Sequence, residues 1–143
     1  MAYFRAAIGG GGGETETILW ENESPSSNFA AQEVTLSQAY TNFSKLRFYF
    51  VYRTTILSPV MWVEYNVQDI VDNWRLGTGT AGTNVYKMHG SFALVAANNI
   101  YSRYFAKDAN NTPTIIRFWI AYRLSDASQT GAYLVPTKIT GIN

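Results

Sequence analysis

Apolar and polar residues alternate along most of this chain. Such alternation puts successive side chains on opposite faces of an extended strand. Two stretches seventy residues apart carry it most plainly: Arg47-Phe48-Tyr49-Phe50-Val51-Tyr52-Arg53 and Arg117-Phe118-Trp119-Ile120-Ala121-Tyr122-Arg123. Four of the seven positions are identical. In each, one face is expected to carry Phe48, Phe50 and Tyr52, or Phe118, Ile120 and Tyr122. The other is expected to carry Arg47, Tyr49, Val51 and Arg53, or Arg117, Trp119, Ala121 and Arg123. One face fills a core, and the other forms an aromatic–arginine surface.

The same pattern predicts strands over 15–20, 31–36, 45–54, 60–68, 85–97, 100–106, 114–124 and 133–142. Pro25 with its neighbouring serines, Leu57-Ser58-Pro59, Asn98-Asn99, 107–113 and 125–131 read as turns or loops. Residues 37–44 read as a short helical turn or an irregular crossing. Residues 69–84, rich in Gly and Thr, read as a long loop. Pro136 argues that the last strand lies at an edge or bends. These signals predict an all-β fold: an antiparallel two-sheet sandwich, jelly-roll-like, with about eight strands.

Gly9 to Gly13 are five consecutive glycines, which hold regular structure only at a large entropic cost. They divide the chain into an apolar leader with its linker (1–13) and a β-sandwich domain (14–143). The leader reads as a docking peptide on a tether, with Tyr3, Phe4 and Ile8 as its anchoring side chains.

Composition narrows the function. The chain of 143 residues has a formal charge of +1, with 15% charged and 15% aromatic residues. Its basic residues are scattered, so nucleic acid is not an expected partner. With no cysteine, it has neither disulfides nor thiolate chemistry. No apolar run reaches the roughly 20 residues of a membrane helix.

Candidate chemistry is sparse. His89 is the only histidine and reads as a surface or hydrogen-bonded residue. Glu64 with Asp69 or Asp72 is the one carboxylate combination that a glycosidase reading could use. Gly77, Gly79 and Gly82 lack the Lys-Ser/Thr of a phosphate loop. No cofactor or metal is expected, and a non-enzymatic role is the leading reading. The better lead is Tyr49, Trp62, Trp74, Arg117 and Trp119, since aromatic rings and arginines anchor protein interfaces and stack on sugars.

Three stretches carry a resemblance: the Gly-rich start leading to Glu16–Trp20 and Ser24–Gln32; Val34-Thr35-Leu36 followed by Tyr40–Tyr52; and the ending Leu134–Ile142. Together they resemble a small β domain of tailed-bacteriophage structural proteins. The resemblance implies a virion component of tail-fibre, baseplate or head-fibre/decoration type. It also implies an N-terminal attachment to other virion proteins, a homo-oligomer with the trimer favoured, and host-surface glycan as a candidate ligand. A free carbohydrate-binding module is the alternative expectation.

Overall fold

The computed structural model of the chain describes residues 13–53, 60–73, 76–77, 90–96, 99–108 and 110–143. They form strands β1 (Glu16–Glu21), β2 (Gln32–Thr35), β3 (Lys45–Arg53) and β4 (Met61–Asn66), then helix α1 (Val67–Asn73). Strands β5 (Leu76–Gly77), β6 (Gly90–Ala96), β7 (Asn99–Asp108), β8 (Ile115–Phe118), β9 (Ala121–Arg123), β10 (Gln129–Thr130) and β11 (Tyr133–Ile142) come after it. One sheet has the order β1-β11-β3-β4. The other runs β10-β9-β7-β8-β2, with β6 and the short β5 also on β7. Every pairing is antiparallel except that of β5 with β7. The expected all-β sandwich is what the chain forms.

The sheets meet through aromatic side chains. Phe48 of β3 lies 4.1 Å, centroid to centroid, from Phe105 of β7, and 6.4 Å from Phe118 of β8. Phe29 packs edge-on against Phe118 at 5.5 Å. Leu46, Phe48, Phe105, Ile116, Phe118, Leu134 and Ile139 are fully shielded from solvent. Burying each stabilises the fold by about 1.5–3 kcal/mol of transfer free energy. The crossing at 36–40 ties the sheets together through its backbone: Leu36 N–H donates to Thr114, Ser37 N–H to Leu19 and Tyr40 N–H to Pro113.

Four details depart from the expected pattern. First, 114–124 is not one strand. Phe105 faces Phe118, while Ser102 faces Tyr122, so three steps along β7 match four along its partner. The extra residue falls at Trp119-Ile120, where Trp119 N–H bonds Tyr104 carbonyl. Such a bulge reverses the parity of the residues beyond it. Ala121 is therefore buried, and the Tyr122 hydroxyl meets that of Tyr104. Trp119 joins the core cluster at 2% exposure and is not an outward ring. Second, β11 as a whole lies between β1 and β3 and is no edge, but Pro136 sits beyond the end of the β1 ladder, which stops at Lys138. The expected bend is the register shift on β3 between Pro136 and Lys138.

Third, Val67 and Gln68 belong to α1 rather than to the preceding strand, and residues 69–73 are helical rather than loop. Val67 and Ile70, three apart and so on one helix face, are both buried. The buried Lys107 of β7 fastens this helix by donating to Val71 carbonyl at 3.0 Å. Fourth, the described residues form eleven strands, because 114–124 divides into β8 and β9 and because β5 and β10 are two-residue pairs that alternation does not reveal.

Arg103 of β7 points into the sandwich and is fully buried. All five of its N–H donors are used, and every acceptor is a backbone carbonyl. Nε donates to Leu134 at 2.9 Å, one terminal nitrogen to Phe29 (2.9 Å) and Trp119 (2.8 Å), and the other to Gly131 (3.3 Å) and Tyr133 (3.0 Å). Burial pulls its pKa down to about 9, which still leaves the guanidinium charged at neutral pH. Leu134 holds a left-handed backbone, φ 50°, a conformation costing a non-glycine residue about 1–2 kcal/mol. The Arg103 bond to its carbonyl helps to secure it.

At Gly141 of β11, a Cβ would lie 2.4 Å from the Phe43 ring. Gly141→Ala is expected to destabilise the domain by about 1–3 kcal/mol, measured as a lowered midpoint in urea unfolding.

Candidate functional site

Ladder register decides which side chains share the outer face of the four-stranded sheet. Arg47 faces Glu64 and Thr140, and Tyr49 faces Trp62 and Lys138. Ile18 pairs with Thr140, and Glu16 with Ile142. Directly opposed residues point the same way. The outer face therefore gathers Glu16 and Ile18 from β1, Lys138 and Thr140 from β11, Lys45, Arg47, Tyr49 and Val51 from β3, and Trp62 and Glu64 from β4.

Arg47 is the centre of this face. Its Nε and one terminal nitrogen donate to the same Glu64 oxygen at 3.0 and 2.8 Å. Its other terminal nitrogen donates to Glu16 at 3.3 Å. Its guanidinium carbon sits 4.3 Å from the centre of the Trp62 ring, a cation–π contact. Lys45 reaches Glu14 and Glu64 at 3.8 and 3.7 Å. Lys138 places its ammonium 4.5 Å from the centre of the Tyr49 ring. The Tyr49 and Trp62 rings are 6.5 Å apart and inclined at 50°.

Glu16 ties β1 into this arrangement. It accepts hydrogen bonds from the Tyr49 hydroxyl and, at 2.7 Å, from the Thr140 hydroxyl. Burial works against its charge, but these bonds and the nearby Arg47 and Lys138 hold its pKa below the ordinary carboxylate value. Burial and the bond to Glu16 push the Tyr49 phenol up, so it remains a donor at neutral pH. For Arg47, burial opposes the charge, yet Tyr49, Glu64 and Glu16 outweigh it and raise the pKa.

The residues expected to form a single surface are divided between the sheets. Tyr49 and Trp62 meet on the face just described. Arg117 and Trp119 lie on the other sheet, with the Arg117 guanidinium carbon 5.3 Å from the Trp119 ring centre. Arg117 Nε and Trp119 Nε1 are buried with no hydrogen-bond partner among the described residues, and Arg117 lies 4.0 Å from Glu33. Trp74, His89, and the leader residues Tyr3, Phe4 and Ile8 lie outside the described residues. Glu64 is committed to Arg47 and Lys45. Among the described residues, no group of three or more metal-ligating side chains comes together. Sequence reasoning missed Glu16 and Thr140 as parts of the face. Their signal is present only in the pairing of β1 with β11, which alternation along one strand does not specify.

No protein-family model matches the chain, and no curated protein matches it. The functional reading therefore rests on its own residues.

Glu16 supplies a pH test. A carboxyl whose folded pKa lies below its unfolded value contributes stability above the unfolded pKa and loses it as pH falls through the folded one. The domain is expected to lose stability on acidification below about pH 4.5. Glu16→Gln is expected to flatten that acid limb and to lower stability at pH 7 by no more than about 1 kcal/mol, because the carboxylate is partly solvated. Urea midpoints across pH 3–7 measure both effects.

Proposed function

We propose that the chain is a non-enzymatic structural component of a tailed-bacteriophage particle, of tail-fibre, baseplate or head-fibre/decoration type. In this reading its leader attaches it to other virion proteins, it assembles as a homo-oligomer with three copies favoured, and it resides in the virion. The sequence resemblance carried by Glu16–Gln32, Val34–Tyr52 and Leu134–Ile142 supports the class. The observation that carries the adhesive role is the outer face of the four-stranded sheet, where arginine, lysine and two large rings are held in fixed positions. Pre-ordered aromatic and arginine side chains suit a contact surface because little side-chain entropy remains to be lost on binding.

The same geometry ranks the ligands. A sugar-stacking platform needs rings lying in one plane with free faces. Tyr49 and Trp62 are inclined at 50°, and each has a cation over its ring. This favours a protein neighbour for the face and puts host-surface glycan, or a free carbohydrate-binding role, second.

Mass spectrometry of purified particles encoded by the same genome tests the reading. The chain is expected among the virion proteins at a fixed copy number, and chains lacking residues 1–13 are expected to drop out of the particle. Particles that form and infect without the chain would overturn the proposal.

A further inference from the structure

Among the described residues β1 is an edge strand, and half of that edge has no partner strand. Thr15 and Asn143 exchange both backbone hydrogen bonds, at 2.9 and 3.0 Å. Bonding alternates along an antiparallel pair. Glu16 and Ile18 therefore turn their N–H and C=O groups away from β11, toward the outside of the sheet. No described residue pairs with those groups. The next outward carbonyl, Leu19, is taken by Ser37 N–H, which closes the edge beyond Ile18. The Ile18 side chain is 49% exposed. An open strand edge beside an exposed isoleucine is an acceptor for another strand.

We propose that this edge receives the leader of a neighbouring copy, residues 3–8, as an added antiparallel strand. This rests on the assembly reading of the proposed function and names the leader's partner as a second copy of the chain. Charge and pattern select the register. Arg5 is the only charged side chain in Tyr3-Phe4-Arg5-Ala6-Ala7-Ile8. The edge carries Glu14 and Glu16, whose side chains are 23% and 35% exposed. Setting Arg5 opposite Glu16 puts Tyr3 opposite Ile18 and Ala7 opposite Glu14. Four new backbone hydrogen bonds then form at Glu16 and Ile18, and Tyr3 covers the exposed isoleucine.

The tether sets how near the two copies must lie. Five glycines span roughly 12 Å on average as a flexible chain, and about 17 Å when extended. Folding back onto the same chain fits less well. A hairpin whose loop is only Gly9 to Gly13 would put Ala6 opposite Glu16 and Phe4 opposite Ile18. Arg5 would then lie on the other face, away from both carboxylates; the Arg5–Glu16 register on the same chain needs a six-residue loop, Ile8 to Gly13, longer than hairpin loops usually are.

The test compares the full chain with one lacking residues 1–8, by light scattering and by hydrogen exchange at the Glu16 and Ile18 amides. The full chain is expected as an oligomer in which both amides exchange at least tenfold more slowly than in the shortened chain, which is expected as a monomer. A synthetic peptide of residues 1–8 is expected to restore the protection. Ile18→Pro removes an outward N–H that the sheet itself does not use, so it should keep the fold and lose the oligomer. Equal masses with and without the leader would overturn the proposal. So would protection in a monomer, which would mean closure on the same chain, or unprotected amides in an oligomer. These results concern the purified protein, so they are separable from absence of the chain from particles.

Discussion

A cation without a counter-carboxylate holds this fold together. Arg103 sits where the two sheets meet the turns at one end of the sandwich, and five backbone carbonyls surround it. Three of those carbonyls belong to irregular chain, the loop at Phe29, the bulge at Trp119 and the turn at Gly131, and two, of Tyr133 and Leu134, to the first residues of β11. Leaving a buried carbonyl unpaired costs about 1–3 kcal/mol; of the five, that of Gly131 also accepts from Phe29 N–H. One guanidinium satisfies five acceptors with the rigid fork that only arginine offers. The carbonyl dipoles in turn replace the water that the charge gave up. The bulge, the left-handed Leu134 and the loop at Phe29 thus share one fastening point.

That fastening has a consequence for the outer face. β11 is the strand that both β1 and β3 pair with, and it enters the sheet at Tyr133 and Leu134, inside the Arg103 cage. Its position sets where Lys138 and Thr140 stand, and therefore where Glu16 and Tyr49 meet them. The outer network is built from cross-strand pairs whose energies are individually small. Its order depends on a backbone frame fixed from the other side.

The fold class was legible because alternation of the Phe48-Phe50 and Ile116-Phe118 kind is local and strongly buried. The division of the second arginine-flanked segment was not. A bulge adds one residue without changing composition, and it moved Trp119 inward and Tyr122 outward against the simple parity. Pro136 was legible as a bend, which is the register shift just beyond it; that β1 pairs with the same strand from Lys138 onward was not. Helix α1 was hidden because Val67 continues the apolar positions of β4 (Met61, Val63, Tyr65), and only its three-residue spacing to Ile70 marks the change. On the candidate face, Tyr49 and Trp62 were legible as outward rings. Arg47 becomes the centre only when β1, β4 and β11 are set beside β3, and that information lies in the pairing of distant segments. Arg103 reads in isolation as one more alternating position between Tyr101 and Phe105.

Arg103→Met keeps the length of the side chain and removes every donor, so it isolates the claim that the carbonyl cage organises the sandwich. Urea unfolding of this variant, read together with hydrogen exchange at the Trp119 amide, is the most direct measurement. The account predicts a loss of at least about 3 kcal/mol and faster exchange at Trp119, as the bulge loosens. A variant as stable as the parent, with the Trp119 amide still protected, would contradict it.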